Sequence, residues 1–343
     1  MGALDRRVAV LGGVAVHLPA DRLSSRGVEE RIAARSDGFV PPAGLIRRVS
    51  GIEHRHEMPQ DWQASDLAVA AAQKVLAGSG TAPGDVDLLI FASASQDMVE
   101  PATAHIVAEK LGLGCPVFDV KNACNSVLNA MEIADALIVA GRYRRVLIAG
   151  GESPSRAVRW RVPDIAAFRT AFAGYTLSDA GAALLLRAAE AVPGGPGILG
   201  FGAAANSRVW DVGTLPAGGS AHPRDEEYTY FRIDGDRLRD AFSALGPQVL
   251  HDTVHRLGLT WDDFAFVGLH QVSLGFLEEI RERIGVPADR VVVTLPEHGN
   301  VASASLPLQL SVALETGLAG PGDLIALVGL GGGISLGMTV IRL

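Results

Sequence analysis

Three side chains carry the types and settings needed for nucleophilic chemistry at a carbonyl. Cys124, in NACNS, follows the β-rich run CPVFDV and opens an apolar helical segment. A cysteine at a helix N-terminus meets unpaired N–H groups and the positive end of the helix dipole, which favour the thiolate and make it a candidate nucleophile. His270 ends the run FAFVGLH, where an imidazole can relay a proton or donate a hydrogen bond. Asn300, in HGNVASASLP, follows RVVVT and offers a carboxamide that donates without becoming charged. The turn Gly331-Gly332-Gly333 has no side chains, so its backbone can approach a ligand and aim an N–H at a developing oxyanion. Glu100 interrupts an apolar, small-residue segment directly before Pro101 and is a candidate general base.

Elements that hold these residues follow from periodicity. Short apolar runs alternate with helical segments, the pattern of an α/β protein whose strands are buried on both faces. The runs form two matching series. VDLLIFASAS, a helix, CPVFDVKNAC, a helix from about Cys124 to Ala140, and RRVLIAGGE make the first. FAFVGLHQVS, FLEEIRERIG, RVVVTLPEHGN, a helix near Ala302 to Thr316, and DLIALVGLGGG make the second. Two copies at so long a period indicate a duplicated fold rather than a solenoid. The expected division is 1–185, with the cysteine, and 186–343, with the histidine and asparagine, joined near Gly181 to Gly195. Duplication is expected to set Cys124 opposite Asn300 at equivalent strand ends, the edge where α/β proteins place their sites.

Composition narrows the class. With 48% hydrophobic residues in 343, a large core can form, and global disorder is excluded. A net charge of -8 argues against general nucleic-acid binding. Two cysteines, Cys115 and Cys124, cannot build a disulfide framework or a zinc cluster, which points to a reducing, cytoplasmic setting, with Cys115 simply buried. Arg6 and Arg7 before an apolar run imitate a secretion signal, but glycines and His17 break the run, and a buried first strand is expected. The uncharged stretch from Leu324 to Ile341 is long enough to cross a bilayer, yet its glycines predict two buried strands joined by a tight turn. His17 and His105 are expected to be structural or exposed, and His298 to shape the turn beside Asn300. Two long insertions, 153–175 and 206–242, are expected to face substrate or decorate the surface.

NACNS, LHQVS, HGNVASASLP and the terminal GLGGGISLGMTVIRL together resemble the thiolase superfamily, nearest its β-ketoacyl-ACP synthase III branch; SGIEHRHE at 50–57 and LSDAGAA at 177–183 fit the same branch. The resemblance covers nearly the whole chain. Ser178-Asp179-Ala180 departs from the family's usual Gly-Asp-Gly. What the resemblance implies is a five-layered αβαβα fold, an obligate homodimer, and a Cys124-His270-Asn300 site at the bottom of a pantetheine tunnel. It further implies an oxyanion hole from the N–H groups of Cys124 and Gly332, with CoA or acyl-carrier-protein thioesters as substrates and no further cofactor or metal.

EPATAHIVAEKLGL with FDVKNAC is also similar to the long-chain acyl-CoA condensing enzymes of bacterial olefin and β-lactone biosynthesis. That resemblance implies that Glu100 reaches across the dimer interface as base for a non-decarboxylative Claisen condensation. Burial in an apolar tunnel would raise its pKa toward neutrality. The turn LGGGISLG and a slightly short spacer from Glu100 to Cys124 are closer to synthase III. A decarboxylative synthase III or polyketide-type ketosynthase using malonyl-ACP is therefore an alternative, as is one subunit of a heterodimer. The absence of a second cysteine from the turn disfavours a degradative thiolase, and Asn300 favours C–C bond formation. Arg156, Arg159, Trp160 and Arg161 are candidate binders of CoA phosphates or of an acidic carrier protein.

Overall fold

The computed structural model describes residues 7–343; Arg6 and the first residues of the expected 1–185 half lie outside the described residues. The first half runs β1 (Arg7–His17), β2 (Arg22–Ser24), α1 (Ser25–Arg35), α2 (Leu45–Ser50), β3 (His54–His56), α3 (Ala64–Ser79), β4 (Leu88–Ala92), α4 (Thr103–Leu111), β5 (Val117–Val120), α5 (Ser126–Val139), β6 (Arg145–Glu152), α6 (Ile165–Ala171) and β7 (Ala180–Glu190). The second runs β8 (Gly197–Ala205), β9 (Gly213–Thr214), β10 (Arg232–Ile233), α7 (Gly235–Leu245), α8 (Gln248–Arg256), β11 (Phe264–Leu269), α9 (Leu274–Ile284), α10 (Leu295–His298), α11 (Ser305–Glu315), β12 (Leu324–Gly331) and β13 (Ser335–Arg342).

Two large sheets result, ordered β1-β7-β6-β4-β5 and β11-β12-β13-β8, together with two-stranded pairs β2-β3 and β9-β10. In the first, β4 is parallel to β5 and β6 while β7 runs antiparallel to β6 and β1; in the second, β11 is parallel to β12, and β13 is antiparallel to β12 and β8. Every residue of LLIFA in β4 and of LIALVGLG in β12 is buried, because helices cover both faces. The central layer is α5 and α11, whose Val127, Met131, Leu306 and Leu310 share one core with Ile90, Ile148 and Leu184 of the first sheet and with Phe266 and Leu327 of the second. Outside the first sheet lie α3 and α4, through Ala68, Leu76 and Val107; outside the second lie α8 and α9, through Leu250, Val254 and Leu277. This is the five-layered αβαβα thiolase fold.

Three details differ from the sequence reading. The expected division at residue 185 cuts through β7, whose apolar run AGAALLLRAAE stays in register with β1 to Glu190 and with β6 to Arg187; the chain changes sheets at 191–196, AVPGGP. RVVVT forms no strand. Instead the Gln271 side chain donates from Nε2 to the Val292 carbonyl (2.7 Å) and accepts at Oε1 from Thr294 N–H and Leu295 N–H (3.0 Å each), so one amide takes the backbone groups a ladder would have paired. The third concerns symmetry. Ala123 and Ala302 both adopt left-handed φ, 47° and 48°, three residues before the first residues of α5 and α11. Ser303 is therefore the counterpart of Cys124, and Asn300 sits three residues upstream.

The stretch from 324 to 341 forms β12 and β13 with Gly331 opposite Ser335. No helix among the described residues is long and apolar enough to cross a membrane. The insertion at 153–175 is a lobe with its own core, Val158, Val162, Phe168 and Tyr175 packing on Val28, Ile32 and Ile46 of α1 and α2.

Candidate active site

Cys124 stands immediately before the N-cap of α5, where Ser126 Oγ accepts from the Asn122 N–H (2.9 Å) and donates to the Ala123 carbonyl (2.7 Å). This locks the turn that presents the cysteine, and Ala123 pays for it with a left-handed backbone unusual for a side chain with Cβ. Position at the helix end predicts a thiolate. Burial overrides it: although the residue keeps some accessible surface, the thiol sits deep among protein atoms, and desolvation together with the nearby Glu152 carboxylate pushes it up to about 12. The resting Cys124 side chain is a neutral thiol, and to act as a nucleophile it needs a proton acceptor.

His270 is the candidate acceptor. It lies one residue beyond β11, its N–H donating to the Val328 carbonyl of β12 (3.0 Å), while Gln309 of α11 brackets the preceding Leu269 at both N–H and C=O. Its ring is buried, and neither ring nitrogen has a hydrogen-bond partner among the described residues. Desolvation holds the imidazole down at about 4, so it is a neutral base at physiological pH.

Asn300 is oriented by its backbone. Its N–H donates to the Thr176 carbonyl and its carbonyl accepts from Ser178 N–H, both at 2.9 Å, and Oδ1 accepts from Ala302 N–H (3.0 Å), leaving the NH₂ end as a donor. Ser178, in the departing Ser-Asp-Ala motif, has a structural use: its Oγ accepts from the His56 N–H (2.7 Å). Asp179, whose carboxyl burial pushes up, accepts from Met58 N–H and from Ser155. The three motif segments thus meet. His298 stacks on His56, with ring centroids 5.3 Å apart, and shapes the turn before Asn300.

The glycine turn closes the site. A side chain at Gly331 would lie 2.8 Å from Ser335 Oγ, 3.1 Å from Asn125 Nδ2 and 3.2 Å from the Asn122 carbonyl, and Gly333 has φ of 107°. Gly332 faces Ala123, beside the cysteine. Asn125, overlooked in the sequence, pins this turn: buried at 2% exposure, its Nδ2 donates to Ser335 Oγ (2.8 Å) and to the Ser335 carbonyl (3.0 Å).

Glu100 is exposed at the tip of the loop after β4, alongside Met98 and Val99, and forms no hydrogen bond or ion pair with the described residues. The loop's base is firm. Asp97 accepts from Ser65 N–H (2.9 Å), and Asp119 accepts from Thr103 N–H and Ala104 N–H at the start of α4. Glu152, the last residue of β6, was hidden in the strand run RRVLIAGGE; it is 1% exposed and close enough to Cys124 to raise its pKa.

The arginine loop is already engaged. Arg156 donates to the carbonyls of Pro59, Gln60 and Trp62, Arg159 pairs with Glu227 (3.0 Å), and Arg161 pairs with Asp37. Trp160 lies under the Arg31 guanidinium, 4.7 Å from the ring centre. These contacts brace the lobe, and each of the three arginines has an acidic or carbonyl partner within the chain. Cys115 is partly buried against α3 and α4, His17 stacks on Trp62, and His105 is exposed.

Fold and residue constellation define a thiolase-fold condensing enzyme, an acyltransferase. Residues 118–207 and 254–343 match the families described as 3-oxoacyl-[acyl-carrier-protein (ACP)] synthase III and its C-terminal part. The β-ketoacyl-[acyl-carrier-protein] synthase III of Ruegeria sp. (strain TM1040) is 32% identical over 99% of this chain and 100% of its own, and that of Rhizorhabdus wittichii 33% over 98% and 99%. The chain belongs to the β-ketoacyl-[acyl-carrier-protein] synthase III family. Among solved structures, Xanthomonas campestris OleA with bound lauric acid and lauroyl-CoA has a TM-score of 0.87 at 28% identity, covering 98% of this chain and 99% of that one. An OleA with its glutamate substituted has a TM-score of 0.88 at 28% identity, covering 100% of both chains.

Proposed function

We propose that this protein joins two acyl thioesters by non-decarboxylative Claisen condensation. The Cys124 thiol attacks the first thioester carbonyl as its proton passes to His270; the N–H groups of Cys124 and Gly332 hold the oxyanion, and the leaving thiolate takes the proton from His270. Glu100, delivered across the interface of a homodimer, then removes an α-proton from the second thioester. His270 and the Asn300 NH₂ hold the enolate oxygen, carbon attacks the acyl-cysteine carbonyl, and the C–S bond to Cys124 breaks to release a β-ketoacyl thioester.

The observation that carries this reading is Glu100: a carboxylate without a partner among the described residues, at the tip of a loop whose base is clamped to Glu152, near Cys124. Similarity to OleA, crystallised with lauroyl-CoA and with glutamate, cysteine and histidine variants occurring in the chain order of Glu100, Cys124 and His270, supports long-chain acyl-CoA as substrate. A second reading, decarboxylative condensation with a malonyl thioester, is favoured by the 30–33% identity to relatives named synthase III. There Glu100 needs no role.

Incubation with long-chain acyl-CoA alone separates them. The expected result is an acyl adduct in intact mass, lost in Cys124→Ala, and a β-keto product whose formation falls by about 10²–10⁴ in Glu100→Gln while acylation persists. Product that requires malonate, or full activity of Glu100→Gln, would overturn the non-decarboxylative reading.

A further inference from the structure

The duplication creates two equivalent positions between the halves. β6 and β12 are equivalent strands of eight residues, so Glu152 and Gly331 occupy matching ends, and Ser303 matches Cys124 by its place after a left-handed alanine. At one of them Cys124 lies by the glycine turn. At the other the glycine is replaced by a glutamate, and Ser303 donates to it.

Glu152 is tied to both loops that carry reacting groups. Its Oε1 accepts from Ala94 N–H (2.9 Å), from Ser303 N–H (3.3 Å) and through a short bond from Ser303 Oγ; its Oε2 accepts from Ser95 Oγ (3.2 Å). Ser95 and Ala94 begin the loop that ends in Glu100, and Ser303 lies three residues after Asn300. Glu152 forms no ion pair among the described residues, so its charge is held by these neutral donors alone, next to Cys124. A neutral hydrogen-bonding residue would hold the loops without opposing the thiolate.

We propose that Glu152 is a positioning residue of the condensation, fixing the Glu100 loop and the Asn300 loop in one register with its carboxylate set beside Cys124. This rests on the reading of Cys124 as nucleophile, but not on whether the second substrate is deprotonated or decarboxylated. The two requirements have opposite signs in one variant. In Glu152→Gln the charge is gone and the Ser95 hydroxyl, which already accepts from Ser153 N–H, must turn its O–H away from the amide NH₂, so thiol reactivity rises while turnover falls.

The test measures both in the full-length protein. Iodoacetamide alkylation of Cys124 is followed against pH by peptide mass, which separates it from Cys115, and turnover is measured with whichever second thioester the wild type uses. Glu152→Gln is expected to lower the alkylation midpoint by about one pH unit, tenfold in thiolate below it, and to lower kcat at least about tenfold with KM within about twofold. An unchanged midpoint, or unchanged kcat, overturns the proposal. Should Glu152→Gln not fold, Ser303→Ala decides: it removes one donor and keeps the charge, so kcat falls with the midpoint unmoved, and wild-type kcat overturns the proposal. Failure of the nucleophile reading is seen separately, as acylation that survives Cys124→Ala.

Discussion

Asn125 links the nucleophile's helix to the oxyanion turn, and its removal has a calculable cost. Asn125→Ala deletes two hydrogen bonds, to Ser335 Oγ and the Ser335 carbonyl, each worth about 0.5–1.5 kcal/mol net. The Oδ1 atom is buried without a partner, so nothing is lost there. With a small cavity beside Gly331, the total is about 2–3 kcal/mol. Asn125→Asp is the sharper variant: nearly the same shape, no donor, and a charge buried beside Cys124, so it is expected to be worse than alanine. Stability is read from urea unfolding midpoints, and site geometry from the rate at which acyl-CoA adds to Cys124, followed by intact mass. If the Gly332 N–H leaves the oxyanion position, acylation slows by up to about 10²–10³. Acylation at the wild-type rate in a variant that has lost the expected stability would refute the idea that Asn125 places the turn.

Two further outcomes follow from the burial and pairing of single side chains. His270 is held at about 4 against an unfolded value of 6.5, so the unfolded chain takes up the proton first and stability, full at neutral pH, is lost as pH falls from about 6.5 to about 4, by about 3 kcal/mol. His56 and His298, both lowered by burial, act in the same direction, and urea unfolding at pH 7.5 and 4.5 should show a smaller difference in His270→Gln than in wild type; equal differences would contradict the assignment. Arg159→Ala is expected to cost no more than about 1 kcal/mol, since its pair with Glu227 is partly exposed, and to leave KM for acyl-CoA within about twofold; a tenfold rise in KM would restore a phosphate-binding role.

Much of the site was readable because each residue follows an apolar run. LLIFA, FAFVGL and LIALVGLG announce buried strands and VFDV a partly buried one; His270 and the glycine turn come directly at the ends of theirs, while Cys124 lies four residues after Val120 and Glu100 eight after Ala92, on the loops that follow. Asn300 was found by the same logic although RVVVT is not a strand, because the segment still runs extended beside β11 under the hold of Gln271. Glu152 and Asn125 were missed for a common reason. Their partners, Ala94, Ser95 and Ser303 for one and Ser335 for the other, lie far away in sequence, and no local pattern marks a carboxylate or amide as the meeting point of distant loops.

By itself the sequence determined the duplicated α/β layering, the order of the strands and the identity of the thiol, imidazole and carboxamide, since hydrophobic periodicity and turn chemistry are local properties. Only the tertiary structure decided the register of the two halves, which pairs Cys124 with Ser303 rather than Asn300, and the protonation of the nucleophile. The helix end favours a thiolate; desolvation and Glu152 oppose it more strongly, and both depend on what the fold brings around the sulfur.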